Sequence, residues 1–309
     1  MGSVRRIRVA GVIRLPTLVA GVRAARIKPP RVATIRAAST LGPMAIRFLL
    51  IDALNLVRRV YAAQPGDDTP EKADGAKISS KQSLQRALRE CDPTHAVIVF
   101  EGREPSWRHL LYRDYKINHK PMPEALRDAL PAYRDAFAEL GVTSFEMPKV
   151  EADDVIGTLA VKIAELGGQA VILSTDKIFL QLLSENIFVR DHFKQSYHDR
   201  AYIEQRFGVT PEKFVDFLAL AGDSTNSIRG VPGVGPKTAA KLIEDLGSLE
   251  EILAAAATTT ADTDRPALAP KMRDKLVDYA EDARQAQSLV RLQTDLELGL
   301  NLKALRYNP

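Results

Sequence analysis

With 309 residues, 45% of them hydrophobic, the chain can bury a sizeable core and divide into one large and one smaller domain. No apolar run reaches the roughly 18 residues of a membrane span, and the single Cys91 excludes an internal disulfide framework and suits a reducing cytoplasm. The net charge of +4 belongs to residues 1–43, which hold eight Arg and one Lys but no acidic residue; the remainder carries 34 basic against 39 acidic side chains, net −5, so global charge is no argument for nucleic-acid binding.

That basic leader has three readings, which stay open. It is a stretch upstream of a true start at Met44, an Arg-rich transit-like peptide, or a basic arm that clings to polyanions.

Beyond Met44 the pattern alternates strand and helix to about Arg200, which argues an α/β layer architecture. Leu49-Leu50-Ile51-Asp52 is a short apolar run ending on a carboxylate, and reads as a buried strand. Residues 64–80, with Pro65, Gly66, Pro70 and Gly75, read as an exposed loop before a helix over 82–90. A second strand, Val97-Ile98-Val99-Phe100, runs into Glu101. Residues 103–123 are basic, aromatic and proline-punctuated, and read as a loop or arch over the sheet edge. Helical periodicity covers 125–140, closed by Gly141.

Glu151, Asp153 and Asp154 open a helix that ends at Gly167-Gly168. Val171-Ile172-Leu173-Ser174-Thr175-Asp176 is a third strand with a carboxylate end, and Ile187-Phe188-Val189-Arg190 completes the sheet. The rest is helical. Thr210-Pro211 caps a helix to about Ala221, and the Gly230–Lys237 turn precedes a helix over 238–246 closed by Gly247. Ser248 and Glu251 form a capping box, residues 254–270 a loose connector, and further helices end the chain, with no internal repeat.

If the three carboxylate-ended strands are parallel, their ends share one edge, where open α/β sheets build their sites. Carboxylates gathered there repel one another unless a cation is bound, and Mg²⁺ is the common choice where phosphate is the substrate. At 100° per residue Glu151 and Asp154 share a helix face and Asp153 points away, so the three converge only by fanning around the first turn. Acidic decoration of a helix start is the plain alternative. In the arch, Arg103, Arg108, His109, Arg113, Lys116, His119 and Lys120 interleave with Trp107, Tyr112 and Tyr115, the composition of a phosphate-gripping, base-stacking surface or of an ordinary solvated loop. The Gly230–Lys237 turn is not a P-loop, because Pro236 separates Gly235 from Lys237 and no buried strand precedes it. A helix-hairpin-helix, whose backbone N–H groups approach a DNA phosphate, fits better.

In order along the chain, Leu50-Ile51-Asp52-Ala53-Leu54-Asn55-Leu56, Trp107-Arg108-His109, Asp114-Tyr115-Lys116, Glu151-Ala152-Asp153-Asp154, Ser174-Thr175-Asp176-Lys177, the Gly230–Lys237 turn and Arg291-Leu292-Gln293-Thr294-Asp295-Leu296 resemble the 5′–3′ exonuclease and flap endonuclease family, in particular its bacterial exonuclease IX type. The resemblance covers everything after about Ala45. It implies a PIN-like nuclease domain with a central, mostly parallel sheet over 44–200 and a helical helix-hairpin-helix domain over 201–309. It also implies a first Mg²⁺ site at Asp52, Glu101, Glu151 and Asp153 with Asp154 beside it, and a second involving Asp176 and Asp223.

Glu101 stands where the family usually has Asp. Ile178 and Asn226 stand where family members with two full sites have further Asp ligands. The resemblance further implies catalytic roles for Lys116 and Asp153, and DNA contacts from Arg108, Tyr115, Lys116, Lys120 and Gly233, Val234, Gly235, Pro236, Lys237 and Thr238. A K⁺ ion is implied on the backbone carbonyls of Leu220, Ala221, Arg229, Val231 and Val234. The expected substrate is DNA with a 5′ flap or branch, cut by a monomer with any polymerase acting in trans. A DNA-junction binder with weak or no catalysis is the alternative, motivated by Ile178 and Asn226; a P-loop NTPase is a third.

Overall fold

The computed structural model describes residues 46–258 and 268–308, so the leader over 1–43 and most of the 254–270 connector lie outside the described residues. Six strands form one sheet: β1 (Arg47–Asp52), β2 (His95–Val99), β3 (Thr143–Phe145), β4 (Gln169–Leu173), β5 (Ile187–Asp191) and β6 (Ser196–His198). Their order is β3-β2-β1-β4-β5-β6, every pair parallel except β5 with β6. The four expected strands are all present. β3 and β6, three residues each at the two edges, carry no apolar run and escape a periodicity search.

Register fixes the site. Asp52 pairs with Val99 and Ile51 with Leu173, so β1, β2 and β4 finish within a residue of each other and leave their following carboxylates along one edge. Alternate residues of β1 serve opposite cores, as a two-residue side-chain period requires. Leu49 and Ile51 join a cluster with Val57, Leu84 and Phe137, whereas Phe48 and Leu50 join Val155, Ile156 and Ile172. Each such fully buried aliphatic side chain contributes about 1.5–3 kcal/mol.

On the first face lie α1 (Ala53–Ala63), which follows β1 directly, and α2 (Pro70–Cys91). α2 overturns the loop expected over 64–80 from Pro70 onward, while residues 64–69 remain irregular. Thr69 caps the helix, accepting the Lys72 N–H at 3.3 Å, and Pro70 occupies the first helical position, where its missing N–H costs nothing. Gly75 is tolerated inside it, while Ala73 and Ala76 on the same helix are buried in the core. The arch contains a short helix, α3 (Trp107–Leu111), and leads to α4 (Glu124–Ala138). On the opposite face α5 (Ala152–Glu165) packs beneath β1 and β4.

The helical part follows as α6 (Arg200–Phe207), α7 (Phe214–Ala221), α8 (Pro236–Leu246), α9 (Leu249–Ala257), α10 (Pro270–Asp278) and α11 (Ala280–Val290). Thr210 makes no side-chain cap; a single 3-10 turn, Pro211–Lys213, comes first and α7 starts after it. The Ser248–Glu251 capping box is present. α9 extends to Ala257, into the stretch expected to be loose. One apolar cluster runs without a break from β1 through α5 and α7 to α11. The chain then returns over the sheet domain. The Gln293 N–H reaches Asp154, the Leu296 carbonyl accepts from Lys162, and the Tyr307 N–H bonds the Thr94 carbonyl beside β2.

Candidate active site

Asp52 ends β1 and caps α1. Its Oδ1 accepts the Asn55 N–H at 3.0 Å and its Oδ2 accepts Ser174 Oγ at 2.9 Å. Beyond β2, Glu101 accepts the Ala152 N–H at 3.2 Å, which ties it to the first turn of α5. Asp153 sits in that same turn, and Asp176 caps the 3-10 turn Lys177–Leu182 through a 2.8 Å bond from the Ile178 N–H. Asp52, Glu101, Asp153 and Asp176 line one open cavity of about 810 Å³, together with Lys116, Arg58, Arg59, Lys120 and Asn226.

Charge in this cavity is under strain. Burial, reinforced by Asp176 and Glu101, raises Asp52 to about 7 despite its two hydrogen bonds. Burial also raises Asp153, with Asp52 and Asp176 as like-charged neighbours, and Asp176, with Asp223 as one. Glu101 is raised by burial against the pull of Lys116. Four carboxylates that burial holds back from ionising, with Lys116 pulling against the shift at Glu101, Asp153 and Asp176, are a donor set that suits a hard divalent cation. Among the described residues no group of three or more His, Cys, Asp or Glu side chains stands close enough together to hold a bare metal ion. A partly hydrated ion such as Mg²⁺, which keeps several waters and takes only one or two carboxylates directly, needs no such group.

Glu151 and Asp154 face elsewhere. Glu151 is 1% exposed and takes hydrogen bonds from Ser106 Oγ, Tyr115 Oη at 2.9 Å and Lys116 Nζ at 2.7 Å. Burial alone would raise it, but Lys116 and Arg108 bring it down to about 2. Asp154 is fully buried and receives Arg108 through a fork, Nη1 at 2.7 Å and Nη2 at 2.8 Å, with Trp107 Nε1 at 3.1 Å and the Gln293 N–H at 3.0 Å. Arg108 spends its other bonds on the carbonyls of Leu289 and Arg291. Asp154, expected as a metal ligand, and Arg108, expected to touch DNA, are thus not brought to the cavity: this pair clamps the arch to α5 and to the end of α11. Tyr115 is likewise 6% exposed, with its hydroxyl committed to Glu151, and offers no ring to a base.

Lys116 and Lys120 stand where a strand could meet them. The Lys116 backbone, at φ 54°, donates to the Asn226 carbonyl, while its ammonium spans Glu151 and the cavity. The exposed Lys120 accepts Arg58 Nη2 on its carbonyl at 2.7 Å. Asp223 does not line the cavity. It is fully buried and held by Lys177 Nζ at 2.8 Å, Asn226 Nδ2 at 2.8 Å and the Thr225 N–H at 3.1 Å, while Ile178 sits in the core.

The hairpin turn presents Gly233, Gly235, Pro236 and Lys237 to solvent, with Thr238 half-buried and Val234 buried. Gly233 has φ 81°, and a Cβ there would collide with Lys275 Nζ, which adds a basic group from α10 to the turn. α8 begins at Pro236 without a side-chain cap, so its first N–H groups are free for an anion. Gly230 packs so closely on the Leu220 carbonyl and the Gly222 nitrogen that no Cβ fits. The Leu220 carbonyl accepts the Val231 N–H at 2.9 Å, the Val231 carbonyl accepts the Val234 N–H at 2.9 Å, and Ala221 and Arg229 line an adjoining cavity of about 360 Å³.

Arg58 and Arg59 line the cavity from outside every matched motif, and Asn55 lines it from inside one that gave it no role. Their i, i+3, i+4 spacing after Asp52 puts them on one face of α1, and that face borders the cavity. Asn55 Oδ1 also accepts the Thr175 N–H and hydroxyl, both at 3.0 Å, joining the end of β4 to α1.

A resolvase-like α/β sheet with a carboxylate edge, followed by a helical domain with a hairpin turn, defines a nuclease class, and both halves match it: a 5′-3′ exonuclease N-terminal resolvase-like domain over residues 47–208 and a 5′-3′ exonuclease C-terminal SAM fold over 209–309. The chain belongs to the 5′-3′ exonuclease family. Flap endonuclease Xni of Aeromonas salmonicida (strain A449) is 44% identical over 263 residues, spanning 84% of this chain and 96% of that protein. Flap endonuclease Xni of Shewanella sp. (strain W3-18-1) is 45% identical over 262 residues, spanning 85% and 95%. Among solved structures, T5 5′-exonuclease with bound zinc superposes with a TM-score of 0.65 at 20% identity, over 80% of this chain and 90% of that one. The catalytic core of Rad2 with DNA substrate gives 0.56 at 14% identity, over 85% and 83%. These two show the shared fold.

Proposed function

We propose that this chain is a structure-specific DNA nuclease that hydrolyses phosphodiester bonds at 5′ flaps, with 5′–3′ exonuclease action at 5′ ends, and uses Mg²⁺. Four cavity carboxylates whose charged forms burial disfavours carry the assignment, and relatives named flap endonuclease support the substrate. Asp52, Glu101, Asp153 and Asp176 would hold the cation, which when bound supplies Lewis-acid polarisation of the phosphate and activation of water. Lys116 Nζ, positioned by Glu151, opposes the charge that builds on the phosphate in the transition state. Arg58 and Lys120 bind the strand along the cavity wall.

The ammonium of Lys177 neutralises Asp223, which favours one divalent ion over two. Residues 44–200 act as the cutting domain and 201–309 grip duplex DNA through the free N–H groups and Lys237 of the hairpin turn. K⁺ on the carbonyls of Leu220, Ala221, Arg229, Val231 and Val234 would stiffen that turn. The protein works as a cytoplasmic monomer; among the described residues no helix is long and apolar enough to cross a membrane.

The test is cleavage of a 5′-end-labelled flap duplex with Mg²⁺, with EDTA, and by Asp153→Asn. Metal-dependent cutting near the junction, lost in the variant, is expected. Tight binding of the flap by the unaltered protein without any cutting would refute catalysis and leave a reader of DNA junctions, a role that the closed Asp223 site also permits.

A further inference from the structure

The turn between β5 and β6 lies at the same sheet edge as the carboxylate cavity, and its residues have no part in the site described above. Asp191 ends β5 and accepts, on Oδ1, the N–H groups of Phe193 at 2.9 Å and Lys194 at 3.0 Å. This side-chain turn, followed by Gln195 at φ 51°, fixes the loop while Phe193 remains 41% exposed. Behind Phe193 lies the buried His192, with ring centroids 4.3 Å apart. Burial lowers His192 to about 4 against the opposing pull of Asp191, aided by Arg59 and Arg190, so the backing ring is uncharged at neutral pH. Arg59 links the two places. Its guanidinium carbon stands 5.2 Å from the Phe193 ring centre, and the same side chain lines the carboxylate cavity. The Lys194 side chain, 76% exposed, adds a second cation, with its Nζ only 3.9 Å from Asp191 Oδ2.

A large ring held open to water by a rigid turn, flanked by two cations and joined by one of them to a phosphodiester-sized cavity, fits a base and its phosphates. A polyanion finds Arg59 and Lys194 beside the ring. We propose that Phe193, with Arg59 and Lys194, is a stacking platform for a nucleobase in the single-stranded part of the DNA, just outside the carboxylate cavity. Every base offers a π face, so the contact is indifferent to sequence, and Arg59 can meet the phosphate between the cavity and the stacked base. The platform rests on the nuclease assignment above and adds where the flap travels.

Its test compares two DNAs by fluorescence anisotropy in the Asp153→Asn background, which keeps the strand whole: a nicked duplex with a 5′ flap, and the same nicked duplex without one. Phe193→Ala should weaken binding of the flap substrate at least fivefold, about 1 kcal/mol at 1.4 kcal/mol per tenfold, and leave the flapless duplex unchanged. Phe193→Trp should bind both as the parent does. A Phe193→Ala variant that holds the flap as tightly as the parent, or that loses both DNAs equally, would overturn the platform. If the parent binds neither DNA, the nuclease assignment itself falls and takes the platform with it.

Discussion

Replacing Arg108 with Met separates two roles for that residue. In the structure Arg108 is 2% exposed, and its guanidinium donates to both oxygens of the fully buried Asp154, to Leu289 O at 2.8 Å and to Arg291 O at 2.9 Å. Deleting it strands a carboxylate and two carbonyls in the interior. Breaking a buried pair by removing one partner costs about 3–5 kcal/mol. For a domain of this size each kcal/mol lowers Tm by about 2–4 °C, so a fall of about 6–20 °C is expected. Adding Asp154→Asn, which removes the stranded charge but keeps an acceptor, should recover at least about 1 kcal/mol. Thermal and urea denaturation of the single and double variants measure both steps. DNA binding is then titrated against salt at a temperature where each variant is folded. A phosphate contact would reduce the slope of log K against log salt by about 0.9 on its loss; the clamp leaves the slope unchanged. A variant as stable as the parent, with a reduced salt slope, would refute the clamp and restore Arg108 to the DNA.

Two further outcomes follow from the charge in the cavity. With its folded pKa raised to about 7 from an ordinary value of 3.8, Asp52 binds its proton more tightly in the folded state, so the cation-free protein loses stability as pH rises from about 4 to 7 and levels off above. Melting curves in EDTA from pH 5 to 8 should fall over that window, and millimolar Mg²⁺ should reverse the fall; a Tm that rises with pH in EDTA would contradict it. Lys177→Met removes the ammonium 2.8 Å from Asp223 and should lower the stability of the cation-free protein by about 1–3 kcal/mol. Because the vacated carboxylates then attract a cation, the variant should bind one more Mn²⁺ than the parent in a stoichiometric titration; equal stoichiometry would argue against Lys177 as a built-in substitute for a second ion.

The sheet and the start of the site were legible because short β-branched runs ending on carboxylates survive any amount of tertiary context. Helix geometry also held. Glu151 and Asp154 do share one direction, toward Arg108, and Asp153 points away from them, into the cavity. What that geometry could not supply was the partner: Arg108 lies 46 residues before Asp154, and only the folded arch brings the two together. The loop expected over 64–80 ends early for a local reason: Pro70 behind the Thr69 cap opens a helix rather than breaking one. Asn55, Arg58 and Arg59 lay within reach, because a carboxylate at a strand end followed at once by a helix commits that helix's near face to the same edge. The Lys275 contribution to the hairpin turn was out of reach, because it depends on how α10 crosses the turn.

The returning C-terminal segment bears on how the molecule comes into being. Synthesis delivers the carboxylate edge early, yet the Arg108 clamp waits for the carbonyls of Leu289 and Arg291, Asp154 waits for Gln293, and Thr94 beside β2 waits for Tyr307. An emerging chain therefore carries every carboxylate of that edge before these later contacts can form. The arch and the first turn of α5 are fixed only after the segment over 289–307 has folded back onto the sheet.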